Sequence, residues 1–317
     1  FANELATVNE KIDGLETQLN EFEAGSFSDT TTFDGKVNFT VGALSYDGTG
    51  TDTVSNEATL FQYMWQGNLN TSFTGDDNLY VRLKTGNASS WTKDKDHGTY
   101  LSSSKGNSDV LKVDKIWYSF PVGESNTVFV GPKIENYYMH GTTPSIYKPV
   151  LKAFTLGGNA AAYGASTDTG AGWAYKADNG FAVSSNIGTK SKSTQYTLDS
   201  NNKKVYSESG ILTNESKTSW ATQVGLTKEQ YSVSAMVNLK YNDWGDSYFS
   251  TSTGDDRNEN STNYGLRAWW RPLETGTATP EISLGYDYST LDGYATNDST
   301  DAFFVGLTWL DTFNADD

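Results

Sequence analysis

Arg82, Lys84, Lys115, Lys133, Arg267 and Arg271 fall on one phase of a period-two pattern, and this set holds three of the four arginines in the chain. In a strand that phase places every second side chain on one face. Glu281 and Asp287 share it, so opposite charges face one another either as a transverse field across an aqueous passage or as cross-strand ion pairs. Fixed charges act strongly on an ion that has shed part of its water, because the local dielectric is low. The chemistry such a wall suits is therefore selection among ions and small polar solutes. Tyr80, Trp117 and Trp269 are also on the inward phase and supply ring faces on which sugars could stack.

Bond-making chemistry has little to work with. His97 and His140 are the two histidines and cysteine is absent, which leaves no metal-binding His or Cys cluster and no Ser-His-Asp arrangement; the reading is not an enzyme, with no cofactor and no metal. Asp255, Asp256 and Glu259, with Asp243 and Asp246 upstream, read either as weak calcium ligands or as a solvated acidic loop, and they lack the glycine and spacing of a calcium loop. A net charge of −16 excludes nucleic acid as a partner, since phosphate binding needs a basic surface.

The elements that must carry these residues are strands. Nine Trp, nineteen Tyr and fifteen Phe accompany only 20% charged residues, yet the mean hydropathy is −0.56. That combination suits a wall with lipid on one side and water on the other, or a secreted β-sandwich. No run approaches the roughly 18 consecutive apolar residues of a membrane helix. Tyr63, Trp65, Gly67, Leu69, Thr71 and Phe73 alternate with Gln62, Met64, Gln66, Asn68, Asn70 and Ser72, and the pattern recurs from Tyr231 to Tyr241, Tyr264 to Trp270 and Ile282 to Tyr288. About twelve strands are expected, near 36–46, 60–74, 79–88, 110–120, 127–135, 165–177, 181–190, 218–227, 231–241, 263–271, 280–289 and 301–309. Tight turns at 75–78, 121–126, 178–180, 228–230 and 272–279 alternate with long connections, which is the habit of an antiparallel transmembrane β-barrel and is not required of a sandwich.

The connection 136–164 has no acidic residue, carries Lys148 and Lys152, and holds a turn bounded by Pro144 and Pro149; it is the candidate for a constriction loop folded into the lumen. Leu5, Val8, Ile12, Leu15, Leu19 and Phe22 form a heptad seam. Residues 1–24 are thus expected to be the end of a coiled-coil stalk, and 34–317 a barrel with its C-terminal strands missing.

The order of a coiled-coil end, a strand from Lys36 to Tyr46, the run Tyr264 to Arg271 and Phe303-Phe304-Val305-Gly306-Leu307-Thr308-Trp309 resembles the carbohydrate-selective porin family, particularly its cyanobacterial members. The resemblance implies a barrel of about sixteen strands in outer-membrane lipid, a homotrimer, and an upstream S-layer-homology domain on a peptidoglycan-linked polymer, a domain that is missing here. It also implies passive diffusion of ions and small solutes, with sugars among them. The alternative from the residues is an envelope-attached β protein that binds carbohydrate, or tethers the outer membrane to the wall, without transport.

Overall fold

The structure is a computed structural model that describes residues 26–28, 30–45, 59–92, 99–164, 167–190, 196–198, 200–206, 216–242, 260–276, 278–292 and 299–311. The expected stalk over 1–24, His97 and the acids between 243 and 259 lie outside the described residues.

All twelve expected strands are present. After the short β1 (Ser26–Ser28), they are β2 (Thr31–Gly42), β3 (Leu60–Thr71), β4 (Asn78–Gly86), β5 (Lys112–Val122), β6 (Asn126–Lys133) and β7 (Thr169–Lys176). Then follow β8 (Phe181–Thr189), β11 (Thr218–Thr227), β12 (Tyr231–Tyr241), β13 (Asn260–Trp270), β14 (Glu281–Asp292) and β15 (Ser299–Thr308). With β1 they form a 13-stranded sheet in which each strand pairs with its sequence neighbour. The connection between β8 and β11 carries its own hairpin, β9 (Tyr196–Leu198) with β10 (Lys204–Tyr206), which the period-two reading does not anticipate.

The alternation produces two unlike faces. Along β12, Ser232, Met236, Asn238 and Lys240 are buried while Tyr231, Val233, Val237 and Tyr241 are exposed. Along β13 the same holds for Asn263 and Arg267 against Tyr264 and Leu266, the last 55% exposed. The polar residues are thus enclosed and the apolar ones face outward, the reverse of a soluble core. Exposed apolar surface on this scale is unfavourable in water by about 25 cal/mol per Å², and hydrocarbon removes that cost. Among the described residues no helix is long and apolar enough to cross a membrane, which says nothing against crossing by strands.

The tight turns are built by local side-chain bonds. Between β3 and β4, the Asp77 carboxylate accepts from the backbone amides of Phe73 and Thr74 and from the hydroxyls of Ser72, Thr74 and Tyr118, while Gly75 takes φ 99°. Led by the Tyr118 hydroxyl, these donors hold the carboxyl well below its usual range. Its contribution is therefore full above the unfolded value of 3.8 and lost as acid titrates it. Asp77→Ala is expected to lower the thermal unfolding midpoint of the detergent-solubilised protein by several degrees at pH 7, with the gap narrowing in acid. A midpoint unchanged at pH 7 would mean the turn is held by the strands alone.

Segment 136–164 does not stay outside the sheet. It runs through two short 3₁₀ turns, Asn136–Met139 and Lys152–Phe154, and a single helical turn α1 (Ala160–Tyr163), and it is fastened to inward residues of five strands. Gly141 N donates to Ser184 on β8 and Thr142 N to Gln223 on β11. Asn238 of β12 donates to Ala162 O, Trp269 of β13 to Thr143 O, and Ser283 of β14 accepts from Ile146 and Tyr147. Several polar groups of the buried sheet face are thus satisfied by loop backbone, as burial demands. A backbone bridge from Leu151 to Leu101 joins this loop to the connection between β4 and β5. The apolar part of the interior is small: Trp117, Ile134 and Met139, flanked by Tyr80 and Phe129.

Candidate functional site

The infolded loop divides the inward charges into two groups. At the first, Arg82 on β4 is held by two carboxylates, with Nε 2.7 Å from Asp114 Oδ2 and Nη2 2.9 Å from Glu135 Oε2. Lys105 reaches the same Asp114 at 2.9 Å, and Lys115 sits 3.8 Å from Glu135 while donating to Ile134 O. Burial pushes the Glu135 carboxyl up, but Arg82 and Lys115 outweigh it and hold it below its ordinary value. Tyr138 from the loop lies over the Arg82 guanidinium, and its ring is 5.4 Å from Trp117, itself 4.3 Å from Tyr80.

Lys84 and Lys152 complete this group. Both lie within Coulombic reach of Arg82 and Asp114, but among the described residues neither ammonium has a carboxylate oxygen within 4.0 Å. Burial lowers the Lys152 pKa. The group therefore sets Arg82, Lys84, Lys105, Lys115 and Lys152 against Asp114 and Glu135, an excess of positive charge in a confined space.

The second group is a clamp. Arg267 Nη2 donates to both oxygens of Asp287 at 2.8 and 3.0 Å, its Nε donates to Leu156 O at 2.7 Å, and its guanidinium lies 4.6 Å from the Tyr163 ring centre. Asp287 also accepts from Asn159 N at 2.7 Å. The ion pair is 1% and 2% exposed at its two side chains. Gly157, at φ 69°, brings the loop backbone against Gly285 of β14. Of the two sequence readings of these charges, the cross-strand ion pair describes Arg267 and Asp287, and the loop is its third partner.

Several placements differ from the simple phase. Lys133 is not inward: an extra residue between the pairs Ile116↔Lys133 and Tyr118↔Val130 shifts it level with Ile116, on the side opposite the buried Lys115, and its ammonium donates to Val113 O. A second irregularity, between Arg82↔Lys115 and Leu83↔Val113, turns Asp114 inward against strict alternation. Trp117 and Trp269, 5% and 6% exposed, offer no open ring for a solute: the first packs in the small apolar cluster and the second bonds Thr143 O beneath Arg271. Arg271 also donates to Glu229 O and lies with Glu281 around a polar cavity of about 310 Å³ at the tight-turn end, away from the loop. Lys148 is exposed on the loop. In this first group Lys105, Asp114 and Glu135 are the residues that phase reasoning misses; the only signal for Glu135 is its position directly before the acid-free loop.

His140, also on the loop, is buried beside Ser184 Oγ at 3.4 Å, with its ring edge-on to Tyr163. Burial lowers its pKa to about 4 against an ordinary 6.5. A base depressed on folding stabilises fully above its unfolded value and loses that contribution as pH falls towards the folded one. Acidification from pH 6.5 to 4 is expected to weaken loop packing by on the order of 3 kcal/mol. Unfolding midpoints of the wild type and His140→Leu at pH 7.5 and 4.5 test this; equal pH dependence in the two would sink it.

An antiparallel sheet of membrane-length strands, apolar outside and polar inside, narrowed by a loop bound to its own inner wall, has the architecture of an outer-membrane β-barrel. No family model matches the sequence. The chain is similar to an uncharacterized protein of Nostoc sp., 25% identical over 351 residues that cover 97% of this chain; the chain spans about half, 56%, of that relative's length. Among solved structures it is similar to OprB of Pseudomonas putida, with a TM-score of 0.51 and 12% identity over 90% of this chain and 71% of that one. A loop-deletion mutant of OmpT, an outer membrane protein of Vibrio cholerae, gives a TM-score of 0.47 at 13% identity, covering 87% and 76% of the two chains. The OprB likeness supports the fold, and residue roles rest on the geometry above.

Proposed function

We propose that the protein resides in a bacterial outer membrane as a porin, a passive diffusion channel for inorganic ions and small polar solutes, and not as an enzyme. The observation that carries this reading is the inverted sheet: apolar side chains outside, as with Phe303 at 81% exposure, and Ser, Asn, Arg and Asp inside. Segment 136–164 is the constriction, and the excess cations at its mouth favour anions. The polar inner face is compatible with sugars; Tyr80 is the partly exposed aromatic of the predicted contacts.

Among the described residues β15 has no strand beyond it and β2 is covered only by the two pairs with β1. Bare backbone groups do not persist in hydrocarbon, so further strands closing the sheet are part of the proposal, as are homotrimer assembly and attachment to a peptidoglycan-linked polymer through an upstream N-terminal domain. Reconstitution in planar bilayers tests the channel: stepwise conductance with an anion-favouring reversal potential in a salt gradient is expected. A protein that stays soluble without detergent and opens no channel would return the carbohydrate-binding or tethering reading.

A further inference from the structure

The strand register reveals a row of lysines that phase alone does not. Gln66 on β3 pairs with Lys36 on β2 and with Lys84 on β4, and Lys84 pairs in turn with Lys112 on β5. Lys36, Gln66, Lys84 and Lys112 therefore stand at one level across four adjacent strands. Gln66 and Lys84 belong to the inward phase of their strands, and Lys36 shares the phase of Thr40, whose hydroxyl bonds Ser103 of the connection between β4 and β5. Lys152, on the infolded loop, has Lys36 within Coulombic reach, and Lys84 has Lys152 within reach, so the loop lysine faces the row.

Among the described residues none of these four ammoniums is within 4.0 Å of a carboxylate oxygen. Asp114 and Glu135 are already taken by Arg82, Lys105 and Lys115, and Asp34, on the phase of Lys36, accepts from the side-chain amides of Asn68 and Asn70. Four like charges gathered from three strands and a loop repel one another unless an anion lies between them. An ammonium is a compact charge with three donors and binds phosphate-type oxygens without demanding planar geometry. A dianion that contacts wall and loop together relieves the repulsion of both, whereas chloride contacts fewer donors with half the charge.

We propose that Lys36, Lys84, Lys112 and Lys152 form a binding station for small doubly charged oxyanions of the phosphate or sulfate kind. The proposal rests on reading the inner face as a water-filled lumen, and it adds a saturable site to what would otherwise be a diffuse field. An anion held there enters from bulk water, exchanges part of its hydration for ammonium donors and leaves on the far side of the loop.

Two measurements on the full chain test it. In planar bilayers carrying chloride current, inorganic phosphate is expected to block in a saturable manner. Lys84→Gln/Lys152→Gln should raise the half-blocking concentration more than tenfold, while Lys176→Gln, at the exposed tight-turn end of β7, leaves it unchanged. In parallel, calorimetric titration of the detergent-solubilised protein with phosphate should show one saturable site that the double variant loses. Anion-selective conductance with no saturable block and no calorimetric binding overturns the station and keeps the porin. Calorimetric binding without any conductance keeps the station and discards the porin. Equal block of the wild type and the double variant assigns phosphate elsewhere and overturns these four residues.

Discussion

Gly285→Val is expected to push segment 136–164 off the inner wall and raise single-channel conductance several-fold, with the sheet intact. Gly285 lies on the inward phase of β14 between Ser283 and Asp287, and a Cβ built there would overlap the carbonyl oxygen of Gly157. That oxygen belongs to backbone, so no rotamer change relieves the overlap. Either β14 moves, breaking continuous pairing with both β13 and β15, or the loop yields. The loop is held by separate hydrogen bonds worth about 0.5–1.5 kcal/mol each, while a strand flanked on both sides cannot shift without losing two ladders. The loop is the weaker party. Circular dichroism should show strand content equal to wild type, and conductance should rise; a folded variant with unchanged conductance would show that this loop does not limit the passage.

Asp287→Ala attacks the same clamp through charge. Arg267, 3% exposed beside Asp287, would be left with carbonyl acceptors but no carboxylate, and removing one partner of a buried ion pair costs about 3–5 kcal/mol. Asn159 N loses its acceptor at the same time. The expected result is a lower unfolding midpoint together with noisier, larger conductance. The double variant Arg267→Met/Asp287→Leu should recover part of the stability, because an apolar pair leaves no buried charge, yet it should not restore the closed loop, since Leu156 O has lost its Arg267 donor and Asn159 N its Asp287 acceptor. If Asp287→Ala cost no stability, or if the double variant were as destabilised as the single one, the clamp would not act through its charge pair.

The strands were readable because alternation is a local property. Tyr231 to Tyr241 and Tyr264 to Trp270 state their faces residue by residue, and a one-residue slip would carry every apolar side chain to the wrong side. Segment 136–164 stood out in sequence by its length, its missing acids and its bounded turn at Pro144 and Pro149. Gly157 and Gly285 were in view but without meaning, since a glycine shows that backbone comes close only once the other backbone is known.

Bulges lay beyond that reading. One extra residue in β6 carries Lys133 away from the inward phase, and one in β5 brings the acid Asp114 into it, so both bulges change which charges share the inner face. Trp117 and Trp269 are buried, and whether such a ring meets solute or protein depends on what else fills the space; here the loop fills it.

Chain order and side-chain period thus determined the sheet and its two faces, because each follows from neighbours in sequence or across one turn. Only the tertiary structure decided that Arg82 is neutralised by Asp114 and Glu135, that Arg267 and Asp287 clamp the loop, and that Lys36, Lys84 and Lys112 share a level with Lys152 opposite. Those partners are set by register and by a loop that crosses to strands more than a hundred residues away, and no local pattern encodes such contacts.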